Sequence, residues 1–169
     1  MKHLLLAVVA SLALVSVATP ASAQERSDAS YRNEASFGYS FLRDYGKNGA
    51  TGMQFDFGHQ IANRISVVGE YAMNHFGYWD ENYTSIAGGV RYGAMTSAKL
   101  RPFVQFMVGM QRDFGVTGLN LQAGAGVNVM LAKQADLKVQ VDFPYVKWDG
   151  RHYKQFRLAV GVGIPLGGR

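Results

Sequence analysis

The chain has 169 residues, with 17 Lys and Arg against 12 Asp and Glu, 20 Gly and no Cys. Without cysteine it has neither disulfides nor thiolate–metal chemistry. Its positive excess is spread thinly, with no basic block or basic helix, so nucleic-acid binding finds no support.

The first 23 residues differ in kind from the rest. Lys2 and His3 give a positive start, residues 4–17 are almost wholly apolar, and Thr19-Pro20 breaks the run before the small-x-small triplet Ala21-Ser22-Ala23. An apolar run of roughly 14 residues falls short of the ~20 that a spanning helix needs. The expectation is a signal peptide over residues 1–23, cut between Ala23 and Gln24. No Cys follows that point, which argues against a lipoprotein anchor. Residues 24–33 are polar and patternless, a loose lead into one domain over 34–169.

From there the period is two. Apolar side chains recur at alternate positions in Ala35–Phe37–Tyr39–Phe41, then Met53–Phe55–Phe57, Ile65–Val67–Tyr71–Met73, and Ile86–Val90–Tyr92. The pattern continues through Val104 to Met110, Leu119 to Leu131, Leu137 to Tyr145, and Phe156 to Ile164. Side chains two apart share a strand face, so the chain is predicted to hold eight strands of about ten residues. The opposite faces carry Gln54, Asp56, Glu70, Arg91, Gln105, Gln111, Gln122, Asn128, Lys138, Gln140, Asp142 and Arg157, interspersed with glycine.

Alternation alone does not say which face is inside. Three features place the apolar face outward, in lipid. The polar face is rich in Gly38, Gly58, Gly89, Gly109, Gly124, Gly126, Gly161 and Gly163, as a narrow barrel interior requires. Strands of about ten residues cross hydrocarbon at a tilt, whereas soluble strands more often have five or six. The connections are predicted to alternate, short near Ala62-Asn63, 95–99 and 132–135, and longer over 44–49, 75–82, 113–118 and 146–152. Tyr45, Tyr78, Trp79, Tyr83, Tyr145, Trp148 and Tyr153 lie near the longer connections and are predicted to form an aromatic girdle at the headgroup level. Backbone groups cannot go unpaired in hydrocarbon, so strands span it only as an edgeless barrel. The predicted fold is all-β, an eight-stranded antiparallel up-and-down transmembrane β-barrel, with an interior filled by side chains rather than an aqueous channel.

On these residues the chain resembles the small outer-membrane β-barrel domain family typified by outer membrane proteins A and X. The resemblance is most specific from Arg101-Pro102-Phe103-Val104, through Gly124-Ala125-Gly126-Val127, to Phe156-Arg157-Leu158-Ala159-Val160-Gly161. It departs from the family's aromatic final residue, ending Ile164-Pro165-Leu166-Gly167-Gly168-Arg169. It implies an integral outer-membrane protein exported by its signal peptide, in contact with outer-membrane lipids including lipopolysaccharide and with the barrel-assembly machinery. The family serves structural, adhesive and enzymatic roles, so fold alone does not choose among them.

Chemistry is sparse. His59, His75 and His152 have no partners at metal-ligand spacing, and none begins the His-x-Ser-Asn signature of lipid A deacylases. No catalytic residue, metal or cofactor is expected, although a Ser–His pair assembled from distant strands stays open. The inward charges Asp56, Glu70, Arg91, Asp142 and Arg157 form the candidate constellation, either a proton or ion path or a plug of mutually paired charges. Asp149-Gly150 is a two-residue hairpin signal. Centring a turn there sets Trp148 opposite Arg151, Tyr145 opposite Lys154, Phe143 opposite Phe156, and Asp142 opposite Arg157. The functional expectation is a non-enzymatic outer-membrane protein, structural or interacting at the surface through its longer loops. The alternatives are a barrel enzyme that modifies lipid A and a soluble periplasmic barrel that binds an apolar ligand.

Overall fold

Period-two alternation gives every strand two chemically distinct faces, and closing the sheet assigns one of them to the interior. The computed structural model describes residues 32–44, 49–77, 81–93, 99–113, 115–132, 134–148 and 150–166. Ala23, Gln24, Tyr45, Tyr78, Trp79 and Asp149 lie outside the described residues, as does most of the 24–33 lead. The strands are β1 (Asn33–Asp44), β2 (Gly49–Ala62), β3 (Ile65–Phe76), β4 (Glu81–Gly93), β5 (Leu100–Asp113), β6 (Val116–Ala132), β7 (Ala135–Trp148) and β8 (Arg151–Leu166). Each pairs antiparallel with its sequence neighbours, and β8 returns to β1 with Asn33 opposite Leu166 and Asp44 opposite Gln155. The result is a closed barrel with no free sheet edge.

The barrel is inside out relative to a soluble domain. Among the described residues, twenty buried side chains are polar or charged and eleven are apolar. The outward face is apolar: Phe106 is 54 % exposed, Ile86 59 % and Val160 45 %. A soluble monomer rarely exposes an apolar patch beyond a few hundred Å², so a continuous band of this kind fits hydrocarbon rather than water. All twelve polar residues expected on the second face are buried.

Two expectations about the connections are corrected. The strands run to 12–17 residues rather than about ten. The supposed long loops shrink accordingly: the link between β5 and β6 is 114–115 and that between β7 and β8 is 149–150, whereas the β4–β5 link on the opposite rim spans 94–99. Length therefore does not alternate between the rims. The reason is that alternation continues past the apolar stretches, with Arg43, Arg112 and Lys147 outward and Leu42, Asp113 and Val146 buried inside, so the hydrogen-bond ladders extend into what read as loops. Gly150 has φ 76° and Gly115 φ 78°, the positive values that tight two-residue hairpins require.

Closure also depends on close backbone approach. Gly38 of β1 faces Gly161 of β8 inside the barrel. A Cβ on Gly38 would lie 2.7 Å from the Val160 carbonyl oxygen, and one on Gly161 would meet the Phe37 carbonyl. Gly161→Ala is expected to force β1 and β8 apart and to cost about 1–3 kcal/mol. Its measure is the urea midpoint of the folded barrel in micelles, and an unshifted midpoint would contradict the close approach.

Candidate functional site

Most of the polar interior is one connected network to which every strand contributes. Strand parity alone places these side chains on the inner face, and closure then brings residues far apart in sequence within bonding distance. Near the rim that holds both ends of the barrel, Asn128 of β6 donates to the Glu34 carboxylate of β1 at 3.1 Å, and Arg101 of β5 pairs with Asp136 of β7. Glu34 lies 3.5 Å from the Arg91 guanidinium of β4. Arg91 also pairs with Asp56 of β2 at 3.0 Å and packs over the Phe103 ring, 4.4 Å from its centroid. Lys138 of β7 donates to Asp56 at 2.5 Å, and the Ser36 hydroxyl donates to the same carboxylate.

Gln105 of β5 connects this lower cluster to the middle of the lumen. Its carbonyl accepts from Arg91 at 2.9 and 3.0 Å, while its amide donates to Asp142 at 3.1 Å. Asp142 accepts from Arg157 Nε at 3.2 Å and pairs with Nη2 at 3.0 Å. Arg157 pairs in addition with Glu70 of β3, across the lumen. Gln54 donates to Glu70 at 2.9 Å, Gln122 donates to it at 3.2 Å, and Gln140 donates to Asp142 at 2.8 Å. The structure thus brings Asp56, Glu70, Arg91, Asp142 and Arg157 into one hydrogen-bonded system. Asp142 and Arg157 sit directly opposite each other in the β7–β8 ladder, as Trp148 does with Arg151 and Tyr145 with Lys154.

These buried charges are paired with one another. An ion pair in a poorly solvated interior compensates its desolvation only when its remaining donors and acceptors are also used, as the glutamines do here. The voids lined by Ser36, Gln54 and Lys138, and by Asn74, Gln111 and Asn120, are each about 10 Å³, room for roughly one water. Sequence reasoning had missed several members. Lys138 and Gln105 were on the polar face but outside the expected charge set, and Glu34, Ser36, Arg101 and Asp136 were not singled out at all. Their parity with Asp56 or Asp142 along each strand was the signal that could have found them.

The aromatic girdle needs correction. Tyr83, Trp148 and Tyr153 face inward rather than into the headgroup layer. Tyr83 is 5 % exposed and clusters with Leu42, Ala50 and Phe76, with Trp148 packed against them. The Trp148 ring lies 5.0 Å from Tyr153 and 6.4 Å from Tyr83, and Gln155 donates to the Tyr83 hydroxyl at 3.1 Å. Together they form an aromatic lid over the polar network, at the rim distant from the chain ends. Of the four described residues of the expected girdle, Tyr145 alone faces outward, stacked on His152 at 5.4 Å. Parity decides this: Tyr83 is an even number of residues from Arg91, Trp148 from Asp142, and Tyr153 from Arg157. Nearness to a turn does not change which face a side chain is on.

His59, His75 and His152 all occupy outward positions, whereas Ser36, Ser40, Ser66 and Ser85 share the inward faces. His59 contacts Asn33 at 2.7 Å, and Ser40 donates to Asn74 at 2.5 Å. Among the described residues, no serine hydroxyl shares a face with a histidine.

No protein-family model and no curated protein sequence matches the chain. Solved structures do. Neisserial surface protein A aligns over 79 % of this chain and 96 % of its own, with TM-score 0.67 and 15 % identity. Ail, the attachment invasion locus protein of Yersinia pestis, aligns over 78 % and 97 %, with TM-score 0.50 and 17 % identity. The outer membrane enzyme PagL aligns over 79 % and 99 %, with TM-score 0.50 and 12 % identity. The fold is that of a small outer-membrane β-barrel. At these identities the likeness extends to the fold and leaves the chemistry of this barrel to its own residues, above all to the paired charges of its lumen.

Proposed function

We propose that the protein is an integral, non-enzymatic component of a bacterial outer membrane, structural or surface-interacting, with the ends of its barrel toward the periplasm and its aromatic lid toward the exterior. The observation that carries this reading is the lumen itself, where named cations and carboxylates are committed to one another under an aromatic cover. Such an interior serves rigidity rather than turnover. Lipopolysaccharide and other outer-membrane lipids are its proposed partners in the membrane, with the barrel-assembly machinery its partner during insertion.

A second reading, a barrel enzyme acting on lipid A, has one support: PagL, an outer membrane enzyme, has the same fold. Against it stands the separation of serines from histidines among the described residues, because a serine nucleophile and its histidine base must lie within hydrogen-bond reach. The protein is expected to co-fractionate with outer membranes and to migrate faster unheated than boiled. Lipid A from cells with and without it is expected to have the same mass spectrum. A new acyl loss or gain would establish the enzyme instead, and recovery in the soluble fraction without detergent would support the apolar-ligand barrel.

A further inference from the structure

The outward face distributes charge unevenly. Among the described residues, its only charged strand positions are Arg43, Arg112, Lys147 and Lys154, all cationic and all exposed. Each lies within four residues of a strand end at the rim of the aromatic lid. At the opposite rim the last outward side chains are Asn33, Ile61, Ile65, Tyr92, Leu131 and Leu166, none of them charged.

Three of the four cations are neighbours. Lys154 of β8 stands opposite Tyr145 of β7, and Lys147 stands opposite His152. Arg43 of β1 stands opposite Phe156, two positions from Lys154 on the same face. The Tyr145 and His152 rings stack at 5.4 Å with an interplanar angle of 19°, which gives the patch a flat centre between its cations. The ion pairs formed among the described residues engage Arg91, Arg101, Lys138 and Arg157, not these three. Directly toward mid-barrel on the same faces come Phe143, 49 % exposed, and Leu158, 37 % exposed.

We propose that Arg43, Lys147 and Lys154 form a docking site for a phosphate-bearing glycolipid of the outer leaflet, of the lipopolysaccharide type. The proposal rests on the outer-membrane placement above and adds the residues and the leaflet. A ligand that satisfies both parts of the surface carries anionic phosphate above and acyl chains below, on one molecule. The cations supply charge-assisted hydrogen bonds to phosphate oxygens. The long Lys and Arg stems lie along apolar surface while their heads stay at headgroup level. The Tyr145 and His152 rings offer a flat face to a sugar. Acidic residues are absent from the outward strand positions described, so nothing on that face opposes the phosphate.

The test uses the full folded barrel in zwitterionic micelles with bis-phosphorylated lipid A as probe, read by native mass spectrometry at fixed salt. The wild type is expected to retain lipid A. Arg43→Gln/Lys147→Gln/Lys154→Gln is expected to bind it at least ~10-fold more weakly, since each cation near an anionic surface is worth roughly fivefold. Arg64→Gln/Lys99→Gln, at the other rim, removes cations without touching the patch and is expected to bind as wild type does. Dephosphorylated lipid A is expected to bind like the triple variant, and excess inorganic phosphate to leave the complex intact. Equal weakening in both variants would reduce the effect to net charge and overturn the site, as would undiminished binding by the triple variant. Heat-modifiable migration certifies folding of each variant, and single Lys147→Gln and Lys154→Gln changes serve if the triple fails to fold. A barrel that folds but shows no preference for lipid A overturns the docking site alone. A chain that stays in solution without detergent overturns the outer-membrane reading, and the site with it.

Discussion

Arg157→Met is expected to lower the unfolding free energy of the barrel by about 3–5 kcal/mol, the range for removing one partner of a buried ion pair. Arg157 is 2 % exposed and lies between Glu70 and Asp142, which are 4 % and 0 % exposed. Without its guanidinium, the two carboxylates face each other across a lumen with little room for water. The measurement is reversible urea unfolding in micelles or vesicles. Glu70→Gln/Asp142→Asn/Arg157→Met, which neutralises all three, is expected to recover a large part of the loss, because amides can rejoin the glutamine network. Failure to recover would mean that Arg157 contributes volume rather than charge. The charge swap Asp142→Arg/Arg157→Asp follows from the sequence register as a simple rescue, and the structure revises it. The new Asp at 157 would face Glu70, so the swap is expected to keep a substantial deficit.

Val160→Arg is expected to cost about 2–4 kcal/mol when the barrel folds into vesicles, the range for a cation on the lipid face near the bilayer midplane. Val160 is mid-strand in β8, opposite Val139 and Tyr39, and is 45 % exposed on the outward face. In a soluble barrel the same position would be an exposed apolar residue, and Arg there would be neutral or would improve solubility. Folding yield and urea midpoint in vesicles therefore discriminate sharply between the two environments. Ala159→Arg, one residue away, points inward, and its cost would come from crowding against the packed lumen rather than from lipid. A harmless Val160→Arg would remove the case for a lipid-facing exterior.

Much of this barrel was legible locally. The strand count and the two faces of each strand follow from period-two alternation, because a strand's side-chain direction is set by its own backbone pleat. The β7–β8 register follows from Asp149-Gly150, since a tight turn fixes pairing and a one-residue slip would set an inward residue against an outward one. Parity even carried the answer for Tyr83, Trp148 and Tyr153, where nearness to the turns pointed the wrong way. Strand ends were less legible, because polar outward residues such as Arg43, Arg112 and Lys147 continue a ladder beyond the end of the apolar pattern.

What alternation does not encode is radial. Which face encloses the other depends on closure, and the partners across the lumen depend on how strands with no sequence adjacency confront one another once the sheet is curved. Arg157 meets Asp142 through a hairpin that the sequence specifies, but it meets Glu70 only because β8 and β3 face each other across the closed barrel. The same holds for Asp56, which receives Arg91 and Lys138 from strands two and three places away around the closed barrel. The sequence by itself determined the strands, their faces and one hairpin register, all set by neighbours along the chain or across a tight turn. The tertiary structure alone decided the cross-lumen pairing and the packing of the inward aromatics into one lid, because both depend on the curvature that brings distant inner faces within reach.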